Sequence, residues 1–123
     1  MVGAHLEGLP LHHQLVERGA LLLELTSTAP EYRLYALPGG PPARPGLVRV
    51  SSGGVAIEVE VYRLPRDEVG ALLVSVPSPL AIGTVRLCSG RDVHGFVVEP
   101  VGLEGARDIS ASGGWRAYLA TAG

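Results

Sequence analysis

Apolar and polar residues alternate along much of the chain, and the alternation is clearest over residues 55–64. There, valine and isoleucine alternate with Glu58, Glu60 and Tyr62. A period of two predicts a β-strand with one face against the core and the other in water or along a pocket. We interpret the glutamate face as a solvated strand face.

Five further strands are predicted by short apolar segments between glycine and proline clusters. They are LLLEL after Ala20, YRLYAL from Tyr32, GLVRV at 46–50 and the hairpin formed by AIGTVRLCSG and RDVHGFVVE. Ser51, Ser52 and two glycines separate 46–50 from 55–64, and the pattern predicts a hairpin between those two strands. Residues 2–9 start apolar and then carry two glycines, which predicts a short strand running into a loop.

Three short helices are predicted at the periphery of this sheet. Pro10 suits the first position of the first helix, and Gly19 suits its end. Residues 66–74 predict a second helix, and the tail from Trp115 predicts a third, with Trp115 in the core. The pattern as a whole predicts one α+β domain over residues 1–123, built on a small, curled, mainly antiparallel sheet or barrel.

Composition and charge exclude several classes of function. The formal net charge is −2 with no basic run, which is atypical of a nucleic-acid-binding protein. No apolar stretch approaches the roughly 20 residues that a membrane helix needs. All ten basic residues are arginine, so chemistry that needs a lysine amine, such as a Schiff base or a phosphate-binding loop, cannot occur within this chain.

The thermolabile residue types are rare, which is compatible with a thermophilic source. Cys88 is the single cysteine, so an internal disulfide and a cysteine metal site are excluded. We predict that Cys88 is a buried small apolar residue. The first residues lack the features of a secretion signal, and a cytoplasmic location is therefore expected.

The first stretch with possible chemistry is GAHLEGLPLHHQL at residues 3–15, where a glycine-bearing loop precedes a helix. Backbone N–H groups at a helix start favour an anion such as a carboxylate, although most helix starts are capped by solvent or side chains. His12 and His13 are adjacent and point about 100° apart on a helix, so a shared metal ion is disfavoured. A histidine proton donor is the alternative, because its reference pKa lies near ~6.5. His94 is interpreted as a solvated or core residue.

Paired acids and scattered arginines form a second group of candidates. Glu58 and Glu60 lie about 7 Å apart on one strand face, and paired carboxylates can perform acid–base chemistry. Four arginines are candidate partners for a carboxylate ligand, although surface ion pairs explain them equally well. These arginines are Arg33, Arg49, Arg63 and Arg116.

Six segments, taken in order, resemble one known family. The segments are GAHLEGLPLHHQL, TAPEYRLYALPG, PGLVRV, IEVEVYRLP, IGTVRL and ARDISASGGWRAYLA. This series resembles the C-terminal domain of allophanate hydrolase over nearly the whole chain. The resemblance implies a γ-glutamyl cyclotransferase-like fold.

In that family an N-terminal amidase domain deaminates allophanate, and the C-terminal domain converts the product, N-carboxycarbamate, to ammonia and carbon dioxide. The resemblance therefore implies an enzyme of urea and allophanate degradation that acts on a small anionic substrate, a carboxylated carbamate or urea derivative, without a cofactor or a metal. A chain without lysine holds no amidase half with a serine–serine–lysine triad. It would be a stand-alone relative or an excised domain.

We expect His13 to be the proton donor of this reaction, oriented by the Gln14 amide, with His5 as the second candidate. One substrate carboxylate is expected at the loop formed by Gly3, Ala4 and Leu6. Tyr35 and the backbone around Gly83 are expected to complete the pocket wall.

The chain departs from the family pattern at two positions: His12 stands where asparagine is expected, and Ser112 stands where an aromatic residue is expected. Two other functions are therefore kept open. One is a non-catalytic module that binds a separate amidase subunit. The other is a γ-glutamyl cyclotransferase, which is disfavoured because PSPLAIGTV contains no acid, unless Glu58 or Glu60 substitutes. The sequence is compatible with a homo-oligomer.

Overall fold

The computed structural model describes residues 1–3, 5–39 and 42–122. Within these residues the chain forms three α-helices and seven strands. The helices are α1 (His12–Glu17), α2 (Arg66–Ser75) and α3 (Trp115–Ala122). The strands are β1 (Leu21–Ser27), β2 (Tyr32–Ala36), β3 (Pro45–Arg49), β4 (Glu58–Arg63), β5 (Leu80–Arg86), β6 (Asp92–Val98) and β7 (Arg107–Asp108).

The strands form three antiparallel sheets, with orders β1-β4, β3-β2-β7 and β5-β6. The predicted α+β class with short helices and mainly antiparallel pairing is confirmed. The sheets of the described residues do not close into a barrel. The β5–β6 hairpin turns at Gly90, whose positive φ of 89° is a conformation that glycine adopts at little cost.

Apolar side chains from all three sheets meet in one core, and the prediction that Trp115 belongs to it is confirmed, because Trp115 is only 3% exposed. Trp115 stacks on Tyr118 of the same helix with ring centroids 5.4 Å apart, and both side chains pack against the core, which anchors α3 to the sheets. The core consists of Val2, Leu6, Tyr32, Leu34, Leu47, Ile57, Val59, Val85, Leu87, Ile109 and Trp115.

The predicted hairpin between 46–50 and 55–64 is wrong. β3 pairs with β2, and β4 pairs with β1 instead. The chain turns away after β3 because the Val50 N–H bonds the Glu31 carbonyl at 2.8 Å, and Gly54 packs against the Glu31 backbone. Alternation specifies which face of a strand is buried, but it does not specify which strand lies beside it.

The predicted short strand at 2–9 is also wrong. The chain forms successive turns there, in which the Leu6 N–H bonds the Gly3 carbonyl at 2.9 Å and the Leu9 N–H bonds the Leu6 carbonyl at 3.0 Å. Leu6 is fully buried and fixes this turn segment to the core. The segment enters α1 directly, and Gly19, with φ of 77°, follows the end of that helix as predicted.

Cys88 is exposed rather than buried, because it follows β5 at the start of the β5–β6 turn. Its Sγ lies 3.5 Å from the Thr26 hydroxyl. None of the described helices is both long and apolar enough to cross a membrane.

Candidate functional site

A cleft of about 420 Å³ lies between the turn segment at 5–11, helix α1 and the residues around the start of β5. It contains both candidate histidines, His5 and His13, together with Gln14. The other residues that line it are Glu17, Arg18, Arg44, Glu68, Ser75, Val76, Pro77, Leu80 and Phe96. The structure therefore brings three of the predicted site residues together, with two arginines beside them.

The His5 imidazole is partly buried and has fixed neighbours. Its Nε2–H donates to the Gln14 Oε1 over 2.8 Å, and its ring meets the edge of Phe96 with centroids 5.3 Å apart. Burial lowers the pKa of His5 below its usual value; the bond to Gln14 opposes this shift, and the nearby positive charge of Arg44 adds to it. His5 is therefore held in one orientation, with Nδ1 as the ring nitrogen that Gln14 does not engage.

His13 is exposed, and its Nδ1–H donates to the Pro10 carbonyl one helical turn back, over 3.0 Å. The expectation that Gln14 orients His13 is wrong, because successive residues on a helix point about 100° apart. The Gln14 amide contacts His5 instead.

The loop that is predicted to bind a substrate carboxylate is closely packed at Gly3. Gly3 lines a small cavity that His5 and Arg44 also line, and a side chain at Gly3 would overlap the Pro45 ring. The Leu6 side chain belongs to the core, and its N–H already bonds Gly3. Ala4 lies outside the described residues.

The other predicted wall residues lie away from this cleft. Tyr35 is on β2, opposite Gly46 and Asp108, and Gly83 faces Gly95 across the β5–β6 hairpin. Neither lines the cleft in the part of the chain that the structure describes. Their assignment to the substrate pocket remains a prediction.

The cleft contains a charged residue, Arg44, that is not among the predicted site residues. Arg44 lines the His5 cleft and two adjoining cavities, and among the described residues it forms no ion pair. The second arginine, Arg18, lies 3.5 Å from Glu68. Arg44 stands in the proline-rich stretch directly before β3. Hydrophobic periodicity is absent there and does not predict where its side chain points.

Glu60 was interpreted as part of a solvated strand face, and this interpretation is wrong. Glu60 is 2% exposed. Its Oε1 accepts bonds from the Glu7 N–H at 2.8 Å and the Tyr62 hydroxyl at 2.7 Å, and its Oε2 accepts one from Arg116 at 2.7 Å. Burial raises the pKa of Glu60, but these three bonds outweigh it and hold the pKa below its usual value.

The hydrogen bonds that Glu60 accepts weaken the cyclotransferase alternative. A carboxylate that accepts three hydrogen bonds and is held ionised is a poor proton acceptor for a substrate. Glu58 is more exposed and lies 3.3 Å from the same Arg116. Neither glutamate lines the His5 cleft.

In the described ranges no group of three or more histidine, cysteine or acidic side chains is arranged to hold a metal ion. His12 Nδ1 lies 3.2 Å from the His5 carbonyl and 3.4 Å from the Tyr62 hydroxyl, on a different side of α1 from His13. The chemistry available in the cleft is therefore proton transfer by imidazole and anion binding by guanidinium.

Comparisons with known proteins show the family to which the chain belongs. The family described as the allophanate hydrolase C-terminal domain matches residues 1–120. The urea amidolyase of Saccharomyces cerevisiae is 48% identical over 123 residues, which cover 97% of this chain and 7% of that protein. The chain thus spans a small part of the length of the curated relatives that it matches.

Solved structures extend the comparison. Kluyveromyces lactis allophanate hydrolase superposes with a TM-score of 0.95 at 44% identity, over 99% of this chain and 21% of that one. The uropathogenic E. coli-specific protein c4763 superposes with a TM-score of 0.90 at 34% identity, over 97% of this chain and 91% of that one. The chain belongs to the allophanate hydrolase C-terminal domain family.

Proposed function

We propose that this chain promotes the breakdown of N-carboxycarbamate to ammonia and carbon dioxide in the His5 cleft. The observation that carries the proposal is that a partly buried, oriented imidazole shares one cleft with the guanidinium of Arg44, which forms no ion pair with any other described residue. Family membership supports the same chemistry, because the matched relatives are a urea amidolyase and an allophanate hydrolase.

The charge of the cleft supports a small anionic substrate. Arg18 is paired with Glu68, whereas Arg44 forms no ion pair with the residues that the structure describes, and we therefore assign Arg44 to the ligand, with Glu17 on the α1 side. N-carboxycarbamate carries two carboxylates on one nitrogen. A guanidinium fork binds one carboxylate at two points, and this would hold the nitrogen near the imidazole.

The chemical step needs one positioned proton. The imidazolium donates a proton to the substrate nitrogen while the bond from that nitrogen to one carboxylate carbon breaks, with the electron pair remaining on nitrogen. That carboxylate leaves as carbon dioxide, and carbamate remains. Carbamate loses its own carbon dioxide by the same kind of protonation, which yields ammonia, and the imidazole regains protons from water.

His5 is supported over His13 as the donor of that proton. The His5 ring is held by Gln14 and Phe96, whereas His13 is exposed and bonds, among the described residues, the Pro10 carbonyl alone. A proton donor is effective when its position is fixed relative to the reacting atom. His13 then contributes to the cleft wall.

The experiment uses an amidase without this domain to generate N-carboxycarbamate from ¹³C-labelled allophanate, and it follows ¹³CO₂ release. We expect the purified chain to accelerate release, and we expect His5→Ala to lower its rate by ~10²- to 10⁴-fold. His94→Ala is the control, because His94 is exposed on β6 outside the cleft, and it should retain the wild-type rate. A wild-type rate in His5→Ala would exclude His5 as the proton donor, wild-type rates in both His5→Ala and His13→Ala would exclude the imidazole mechanism, and no acceleration by the wild-type chain would exclude the function.

A second candidate function is a module that binds an amidase without catalysis. The lengths of the relatives favour this candidate. The matched domain is 7% of the S. cerevisiae protein and 21% of the K. lactis chain, so in those proteins it occurs beside much longer sequences. Co-elution of the chain with an amidase, without acceleration of carbon dioxide release, would support this candidate. The enzyme proposal predicts acceleration whether or not the two proteins co-elute.

A further inference from the structure

The buried carboxylate of Glu60 forms an ion pair with the partly exposed guanidinium of Arg116, beside the turn segment at 5–11. Removing a carboxylate from water is costly, and the cost is offset only where the charge is fully partnered. Glu60 meets this condition with three donors on its two oxygens, one of which is the Arg116 guanidinium.

The pair also holds both backbone groups of one residue in that segment. The Glu7 N–H donates to the Glu60 carboxylate at 2.8 Å, and the Glu7 carbonyl accepts from Arg116 Nη2 at 2.6 Å. The three residues come from distant parts of the sequence, the turn segment, β4 and α3. The ion pair therefore takes the place of a strand partner for the Glu7 backbone.

This attachment lies two residues from His5. The Tyr62 hydroxyl, which donates to Glu60, also lies 3.4 Å from the His12 Nδ1 whose other neighbour is the His5 carbonyl. The backbone at His5 and Glu7 is thus connected to Glu60 directly at Glu7 and through His12 and Tyr62 at His5. Glu60 itself lines a separate apolar cavity of about 570 Å³ and does not line the His5 cleft.

We propose that Glu60 and Arg116 are positioning residues, which clamp the Glu7 backbone and thereby fix the His5 imidazole in the cleft. This inference rests on the proposed function for its effect on catalysis, since only a reactive His5 needs a fixed position. A displacement of about 1 Å at a reacting group can lower a rate by about a hundredfold.

The test is Arg116→Lys, because an ammonium can still reach Glu60 but cannot reproduce the planar fork that also bonds Glu7. The chain offers a matched control: Arg33 likewise bonds a carboxylate, that of Asp108, and a backbone carbonyl, that of Gly53. Arg33→Lys therefore makes the same chemical change at a clamp that does not touch the His5 segment.

Two readouts separate positioning from general loss of structure. In Arg116→Lys we expect kcat for carbon dioxide release to fall about ten- to a hundredfold with a smaller change in KM. We also expect the NMR titration of the His5 ring to move upward toward about 6.5, the value of a solvated histidine. Arg33→Lys should change kcat less than about twofold, by analogy with other exposed pairs, and leave the His5 titration unchanged.

An unchanged His5 titration in Arg116→Lys would overturn the inference, and so would equal effects of the two lysine variants. If Arg116→Lys does not fold, Tyr62→Phe removes one donor to Glu60 and keeps the ion pair. It should move the His5 titration in the same direction, and no movement would overturn the inference. The titration needs no substrate, so failure of the proposed function would appear separately, as a wild-type chain that does not accelerate carbon dioxide release.

Discussion

The carboxylate of Glu60 lies 2.7 Å from the guanidinium of Arg116, although Glu60 is on β4 and Arg116 is 56 residues later on α3. This contact joins the sheet, the last helix and the turn segment that carries His5. It also makes the stability of the fold depend on the ionised state of one buried acid.

Folding stability is expected to fall on acidification because of Glu60. Its hydrogen bonds hold the pKa in the folded chain below the value of about 4.5 that applies to the unfolded chain. The contribution is therefore complete above pH ~4.5 and is lost as the pH falls through the lower, folded-state pKa. Urea unfolding of the wild-type chain and of Glu60→Gln, from pH 7 to pH 3, should give a steeper decline for the wild type.

Glu24→Gln is the control for that series, because Glu24 forms an exposed pair with Arg91 at 3.0 Å. This substitution should change the free energy of unfolding by less than about 1 kcal/mol at neutral pH. Parallel pH curves for the wild type and Glu60→Gln would contradict the assignment.

The pH dependence of catalysis follows from His5. Burial lowers the pKa of this imidazole below 6.5, and a proton donor acts only in its protonated form. The chain-dependent rate of carbon dioxide release, with the uncatalysed rate subtracted at each pH, should therefore decline as the pH rises, with a midpoint below 6.5. A rate that increases between pH 5 and pH 8 would be incompatible with His5 as the acid.

A glycine-to-alanine substitution is expected to have opposite effects on stability at two positions, Gly54 and Gly70. A Cβ at Gly54 would lie 2.5 Å from the Glu31 backbone, so Gly54→Ala should destabilise the chain by about 1–3 kcal/mol. A Cβ at Gly70, within α2, meets nothing within 4 Å, and Gly70→Ala should stabilise the chain by about 0.5–1 kcal/mol. Denaturant unfolding of the two variants checks both, and the same sign for both would count against the structure of this region.

Thr28 follows β1, is fully buried, and its hydroxyl serves two backbone groups. It donates to the Ala29 carbonyl at 2.8 Å and accepts from the Ile57 N–H at 3.0 Å. Thr28→Val keeps the shape and leaves both groups with fewer partners, at a cost of about 1–3 kcal/mol. Thr84→Val, at an exposed position on β5, should cost less than about 0.5 kcal/mol, and equal unfolding midpoints for the two variants would show that the Thr28 hydroxyl contributes nothing.

The strands could be predicted from the sequence because alternation and turn residues are local signals. Their partners could not: the 55–64 alternation is equally compatible with a neighbour before or after it, and β4 pairs with β1 across more than 30 residues. The first nine residues mislead for another reason. An apolar start resembles a strand, yet Leu6 is buried from within a turn.

The candidate site was predictable in part. His5, His13 and Gln14 stand close in sequence and share a cleft, but the partner of Gln14 depends on which way α1 faces. The burial of Glu60 depends on donors at Glu7 and Arg116, which lie 53 and 56 residues away, so no local pattern reveals it. Arg44 reaches the cleft from a loop, and a loop has no hydrophobic periodicity from which the direction of a side chain could be predicted.

The central claim is that the cleft at His5 receives a substrate with two carboxylates. A titration of the ¹⁵N- and ¹³C-labelled chain with malonate, followed by NMR, tests this claim without any turnover. We expect saturable shifts centred on His5, Arg44 and Phe96, and a clear loss of malonate affinity in Arg44→Gln. Shifts elsewhere on the surface, or equal affinity in Arg44→Gln and the wild-type chain, would contradict it.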